Sequence, residues 1–168
     1  TYSVEVDAGT FVDPAGAPFG GLAAGSWKFS TRTALPPTDS TLLTVAADGT
    51  GDFCSVQGAI DHVPANNPRR VTIAVKRGYY DEIVYVPSNK PNITVRGEHR
   101  WETAIRYANN ANRNSSQRQL FGVDAPDFTL ETITLINTTP RGGSQAEAFR
   151  GNNQRIVLNS VDLKSFQD

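Results

Sequence analysis

Cysteine is almost missing from this chain: Cys54 stands alone among 168 residues, so an internal disulfide is impossible and cysteine usage leaves the redox compartment undecided. The expectation for such a lone thiol is a buried, inert side chain. Histidine is nearly as scarce. His62 and His99 lack neighbours at metal-ligand spacing, and no serine sits in a nucleophile-elbow pattern, so no metal is implied, no cofactor is expected and a serine hydrolase is disfavoured. An excess of either charge is missing too. With 16 basic against 17 acidic residues there is no global field to attract nucleic acid or an anionic membrane, and partner choice falls to a local site. No apolar run approaches membrane-spanning length, and the start lacks the layout of a signal peptide. The abrupt first and last residues read as those of an excised piece.

What is present is β-rich. Residues 1–33 alternate in short bursts, Tyr2-Val4-Val6 and then Trp27-Phe29, around Asp13-Pro14-Ala15-Gly16 and Gly20-Gly21, which predicts two or three antiparallel strands with tight turns. So short a sheet cannot bury both of its faces, and a partial sandwich is expected. Prolines 36 and 37 place an extended linker over residues 34–40, and a second domain runs from 41 to 168. In it Ser55 is placed to cap a short helix whose apolar residues Val56, Ala59, Ile60 and Val63 fall at helical spacing, with Pro64 stopping it. β-rich runs follow at 71–75, 83–86, 93–95, 128–135 and 156–163.

These runs repeat at an interval of 28 residues: Phe121 maps onto Phe149, Phe128 onto Ile156, Leu130 onto Leu158, Ile133 onto Val161 and Leu135 onto Leu163. Moving back by the same interval, Phe121 maps onto Ile93 and Val123 onto Val95. Matched apolar positions at one offset imply stacked coils, each burying its side chains on those of the coil before, and a right-handed parallel β-helix fits this best. The pattern alone leaves a generic β-rich domain open. In a solenoid, residues one coil apart share an outer face, so successive turns can assemble a site along a groove suited to a polymer.

Three ordered segments carry more: Gly78-Tyr79-Tyr80-Asp81-Glu82, Gln145-Ala146-Glu147-Ala148-Phe149-Arg150 and Ser165-Phe166-Gln167-Asp168. With Val45 to Phe53, Ser55-Val56-Gln57 and Asn137-Thr138, they resemble the signature of the pectin methylesterase family over nearly all of residues 43–168. The run Phe11 to Gly16, with Phe19 and Trp27 to Thr31, is similar to the closing strands of bacterial immunoglobulin-like repeats. Together the resemblances imply an all-β chain. It would hold a right-handed parallel β-helix, incomplete at its C-terminus, with a short N-terminal capping helix and a partial immunoglobulin-like segment in front. They also imply secretion, pectin as the partner and a monomeric full domain.

The chemistry fits on its own terms. Attack on a methyl ester builds negative charge on the carbonyl oxygen, and neutral amide N–H donors such as those of Gln145 and Gln167 can stabilise it. By the resemblance, Asp168 is general acid toward methanol and then base toward water, a task that needs a raised pKa. Asp168 and Gln167 can both face substrate only if the strand ends or bends there. The resemblance places the nucleophilic aspartate and its arginine in later motifs, so this chain alone is expected to turn over little pectin. Gln145, Ser115 on a loop spanning 107–119, and Tyr80 are the expected substrate contacts, although Tyr80 also reads as a structural aromatic. Glu82 reads as a structural hydrogen-bond partner, Arg150 as an ion-pair partner on a neighbouring coil and Glu147 as a solvated side chain. Asn92, Asn114 and Asn137 head glycosylation-like triplets. The rival reading is a catalytically silent β-helix for carbohydrate binding or adhesion. A lyase or polygalacturonase is disfavoured because neither calcium-binding acidic clusters nor grouped aspartates occur.

Overall fold

The computed structural model describes residues 1–31 and 34–167. It divides into two compact units, one ending at Leu35 and the other beginning at Pro36, a boundary inside the expected linker.

In the first unit, β1 (Tyr2–Val6) pairs antiparallel with β2 (Leu22–Phe29), with Val4 opposite Trp27 and a register shift between Val4 and Val6. The Tyr2 and Phe29 rings, directly opposite, stack at 5.3 Å. The expected turn at Asp13 forms because its carboxylate accepts from the backbone N–H of Ala15 and of Ala17, both at 2.9 Å.

The second unit winds as a parallel β-helix. Its strands are β3 (Leu42–Val45), β4 (Val71–Val75), β5 (Gly78–Tyr80), β6 (Val84–Val86), β7 (Ile93–Gly97), β8 (Thr103–Tyr107) and β9 (Phe121–Val123). They continue through β10 (Thr129–Glu131), β11 (Thr134–Asn137), β12 (Phe149–Gly151), β13 (Val157–Asn159) and β14 (Asp162–Lys164). From β4 onward every third strand falls in the same sheet, and β3 pairs beside β4, giving β3-β4-β7-β10-β13, β5-β8-β11-β14 and β6-β9-β12, all paired in parallel. Alternation sets which side chains enter: Leu43, Ile73, Val95 and Leu130 stack inside one sheet, and Tyr80, Ile105 and Leu135 inside the next, each at most 3% exposed.

The runs at 128–135 and 156–163 are each two strands and a corner. Thr132 and Ser160 take left-handed backbone conformations, φ 57° and 55°, that turn the chain from one sheet into the next. Above the first corner, the α-carbon of Gly97 lies so close to the Thr132 carbonyl that a β-carbon would collide with it. The 28-residue interval holds between the last two coils, where Leu130 faces Leu158, Leu135 faces Leu163 and Phe121 faces Phe149. Its extension backward is corrected: Phe121 stacks on Val84 and Val123 on Val86, while Ile93 belongs to a different sheet. The 108–120 loop lengthens that coil, so one fixed interval cannot span it.

The capping helix α1 (Val56–His62) starts at Ser55, whose hydroxyl accepts from Gly58 N–H at 3.1 Å. Glu82 completes the cap, its two carboxylate oxygens accepting from Val56 and Gln57 N–H at 2.8 and 2.9 Å. At the other end the Lys90 ammonium donates to the carbonyls of Ile60, Asp61 and Val63. Cys54, just before the helix, is exposed; the expected buried thiol is wrong because the chain is still turning outward before Val56 enters the core.

Candidate active site

The C-terminal ends of β8, β11 and β14 lie side by side, because Tyr107 pairs with Asn137 and Ile136 with Lys164. Two hollows open along this edge. One of about 450 Å³ is lined by Asp81, Arg106, Tyr107, Arg113 and Thr138. The other, about 570 Å³, is lined by Ile136, Thr138, Lys164, Ser165 and Phe166. Thr138 borders both, so the hollows adjoin, a trough in two parts along this edge. Arginine and aromatic side chains dress its first part: the Arg106 guanidinium lies 4.4 Å from the Tyr79 ring centre and that of Arg113 5.5 Å from Tyr107. Arg106 also holds Asp81 at 2.7 Å, and this hydrogen-bonded charge pair keeps the Asp81 carboxyl below its ordinary pKa.

The segments carrying Gln145 and Gln167 are bridged through their backbones beside this edge. Strand β14 ends at Lys164, the chain bends at Phe166, and Gln167 forms an isolated antiparallel bridge with Ala146, the residue after Gln145. Ser165 secures the bend: its hydroxyl donates to the Ala146 carbonyl and accepts from Gln167 N–H at 3.2 Å. Gln145 is exposed and Gln167 half-buried, so neither is sealed in the interior. The strand therefore ends at Lys164, before Gln167. Asp168 itself lies outside the described residues.

Ser115 is exposed on the 108–120 loop, which is tied to the same edge by Ala111 N–H donating to the Gln145 carbonyl at 2.9 Å. Arg150 reaches this loop as well, donating to the Ser116 carbonyl at 3.1 Å instead of pairing with a carboxylate. Glu147 is not merely solvated; it pairs with Arg118 at 2.7 Å. Tyr80 is corrected as a substrate contact. Only 3% exposed, it packs in the core and donates its hydroxyl to the Lys76 carbonyl at 2.9 Å, because its strand position points inward in line with Ile105. Burial also raises its pKa.

Glu82 keeps the structural role read for it, on the helix cap. Burial raises its pKa, and the two N–H donors oppose that rise. Among the described residues no group of three His, Cys, Asp or Glu side chains could hold a metal ion.

The family model for pectinesterase matches residues 42–168, the whole span of the solenoid strands. This chain belongs to the pectinesterase family. Pectinesterase 31 of Arabidopsis thaliana is 35% identical over 139 residues, covering 76% of this chain and 44% of that protein. Among solved structures, pectin methylesterase from carrot superposes with a TM-score of 0.67 at 28% identity, over 78% of this chain and 40% of the carrot chain. A pectin methylesterase in complex with a hexasaccharide shares the fold, with a TM-score of 0.57 at 22% identity over 71% of this chain and 42% of the other. The pectinesterase match thus spans less than half the length of these relatives.

The sequence reading gave no site role to two residues beside this edge, Asn109 and Asn137, both buried. The 28-residue interval was no guide to them, since Asn137 pairs with Tyr107, 30 residues before it.

Proposed function

We propose that this chain carries part of the catalytic centre of a carboxylic ester hydrolase that removes methyl groups from methyl-esterified polygalacturonate and releases methanol. The observation that supports the reading is the backbone bridge between Ala146 and Gln167, which ties the segment carrying Gln145 to the one carrying Gln167, beside the hollow bordered by Ser165 and Phe166. Two amide donors at one edge suit the oxyanion formed when the ester carbonyl is attacked. Asp168, next in sequence, has the role of general acid toward methanol and base toward water. The nucleophile, a second aspartate that forms an acyl-enzyme anhydride, belongs to a later motif of the family. Ser115 and the arginine-bearing end of the trough are the proposed contacts for neighbouring sugar units. The full domain is proposed to act as a monomer outside the cell; no helix among the described residues is long and apolar enough to cross a membrane.

Calorimetric titration of the chain with methyl-esterified hexagalacturonate tests this reading. Binding to the chain, weakened about tenfold or more by Gln145→Ala or Gln167→Ala, is the expected result. Equal affinity in both variants would instead support a non-catalytic carbohydrate binder.

A further inference from the structure

The loops at 108–120 and 138–148 carry Ser115 and Gln145, and each is closed at its base by a buried asparagine. Asn109 Nδ2 donates to the carbonyls of Gln117 and Gln119 at 2.7 and 2.8 Å, drawing the first loop shut. Asn137 Nδ2 donates to the Glu147 carbonyl at 2.9 Å, closing the second loop, and to the Asn109 carbonyl at 2.8 Å, one coil away. Its Oδ1 accepts from Thr139 N–H at 3.1 Å and from the Thr139 hydroxyl at 2.9 Å. The Thr139 hydroxyl also lies 3.1 Å from the Asn109 carbonyl.

We propose that Asn109 and Asn137 are positioning residues, a stacked pair of buried amides that locks the Gln145 loop to the Ser115 loop and so sets how Gln145 meets the ester. The inference rests on the proposed esterase reading for its consequence, though not for its geometry. Both amides are nearly solvent-free, Asn109 at 0% and Asn137 at 2% exposure. A core position of that kind favours an apolar side chain unless its hydrogen bonds are made.

Asn137 makes all of them, because two donors on one nitrogen bridge carbonyls of different coils while the oxygen takes the following turn. Aspartate would set a carboxylate against two carbonyl oxygens. Leucine or alanine would take one donor from each carbonyl, leaving the Glu147 carbonyl with Leu120 N–H alone, and would strip the Thr139 N–H of its side-chain acceptor. The lock acts where it matters for Gln145: the carbonyl held by Asn137 belongs to Glu147, two residues on, and the Gln145 carbonyl itself is held by Ala111 of the other loop. In the next coil Ser165, stacked over Asn137, repeats the device through its bond to Ala146. The Asn137 triplet is thereby excluded as a glycosylation site in the folded chain, since its nitrogen is buried and fully engaged.

The test is amide hydrogen exchange by NMR on the chain, with a parallel titration by methyl-esterified hexagalacturonate. In Asn137→Ala the amides of Thr139 and Ala111 should exchange about tenfold to a hundredfold faster, with Ile73 and Val95 changed by less than about twofold. Hexagalacturonate affinity should fall about tenfold. Asn137→Asp should behave like Asn137→Ala at neutral pH and regain loop protection on acidification, when the new carboxyl can again donate to a carbonyl. A residue that merely fills space would give no such recovery. Thr139→Val, which removes only the hydroxyl link, supplies a milder variant and should loosen the same two amides by a smaller factor.

Unchanged Thr139 and Ala111 protection in these variants overturns the proposal, as does a loss spread evenly over the strands without acid recovery. Should the wild type show the expected exchange pattern yet bind no hexagalacturonate, the lock stands and the esterase reading falls.

Discussion

The hairpin unit and the solenoid are both written in alternating strands, yet among the described residues every buried apolar side chain lies between Leu43 and Ala148. In the hairpin unit, Tyr2, Phe11, Trp27 and Phe29 stay about half exposed or more, although Tyr2 pairs ring against ring with Phe29 and Phe11 with Phe19. In the solenoid, Ile73 lies on a strand that alternates as plainly but vanishes from solvent between Leu43 and Val95. Alternation makes a strand; only a repeat that returns the chain to the same register closes a core around it. That closed core holds the trough in place.

The difference can be broken most forcefully at the core. Ile105→Ala should destabilise the solenoid by about 2–5 kcal/mol in urea unfolding, whereas Trp27→Ala in the hairpin should change solenoid stability by less than about 0.5 kcal/mol. A comparable loss from both would mean that the units fold as one.

Backbone packing sharpens the contrast next. Gly97→Ala would drive a β-carbon into the Thr132 carbonyl and should cost about 2–3 kcal/mol, while Gly20→Ala, with open space around it, should be neutral within about 0.5 kcal/mol.

A smaller effect is expected at the helix cap. Glu82→Ala leaves two backbone N–H groups unpaired and should cost about 1–2 kcal/mol. Because burial lifts the Glu82 pKa above its unfolded value, the folded chain holds that proton more tightly. The stability Glu82 contributes is then fully present below the ordinary glutamate range and is lost as pH rises through the raised value. The gap between wild type and Glu82→Ala should accordingly be widest at acid pH and narrow on the way up, as read by thermal unfolding across that window.

Much of this organisation was legible in the residues. The Ser55 cap and the 28-residue register between the last coils both follow from local chemistry and spacing. Corners were not, because Thr132 and Ser160 carry a left-handed backbone without the glycine that would announce it. Nor was the length of each coil, since an inserted loop moves Phe121 off Ile93 and onto Val84. Inward and outward positions on a three-residue strand are equally hard to separate, and Tyr80 was assigned to the wrong side for that reason. At the site, the ordered motifs pointed to the segments of Gln145 and Gln167, which the fold bridges through Ala146. The buried asparagines beneath it could not be weighed, because a polar residue in a core is justified only by partners that the fold brings to it.

The central claim is that successive coils bring the Gln145 and Gln167 amides to one carbohydrate-binding edge. NMR of the two side-chain amide groups during titration with methyl-esterified hexagalacturonate tests it most directly. Both glutamine signals should shift together and saturate at the same ligand concentration, with Ser115 following. Shifts confined to the hairpin aromatics, or to one glutamine without the other, would contradict the account.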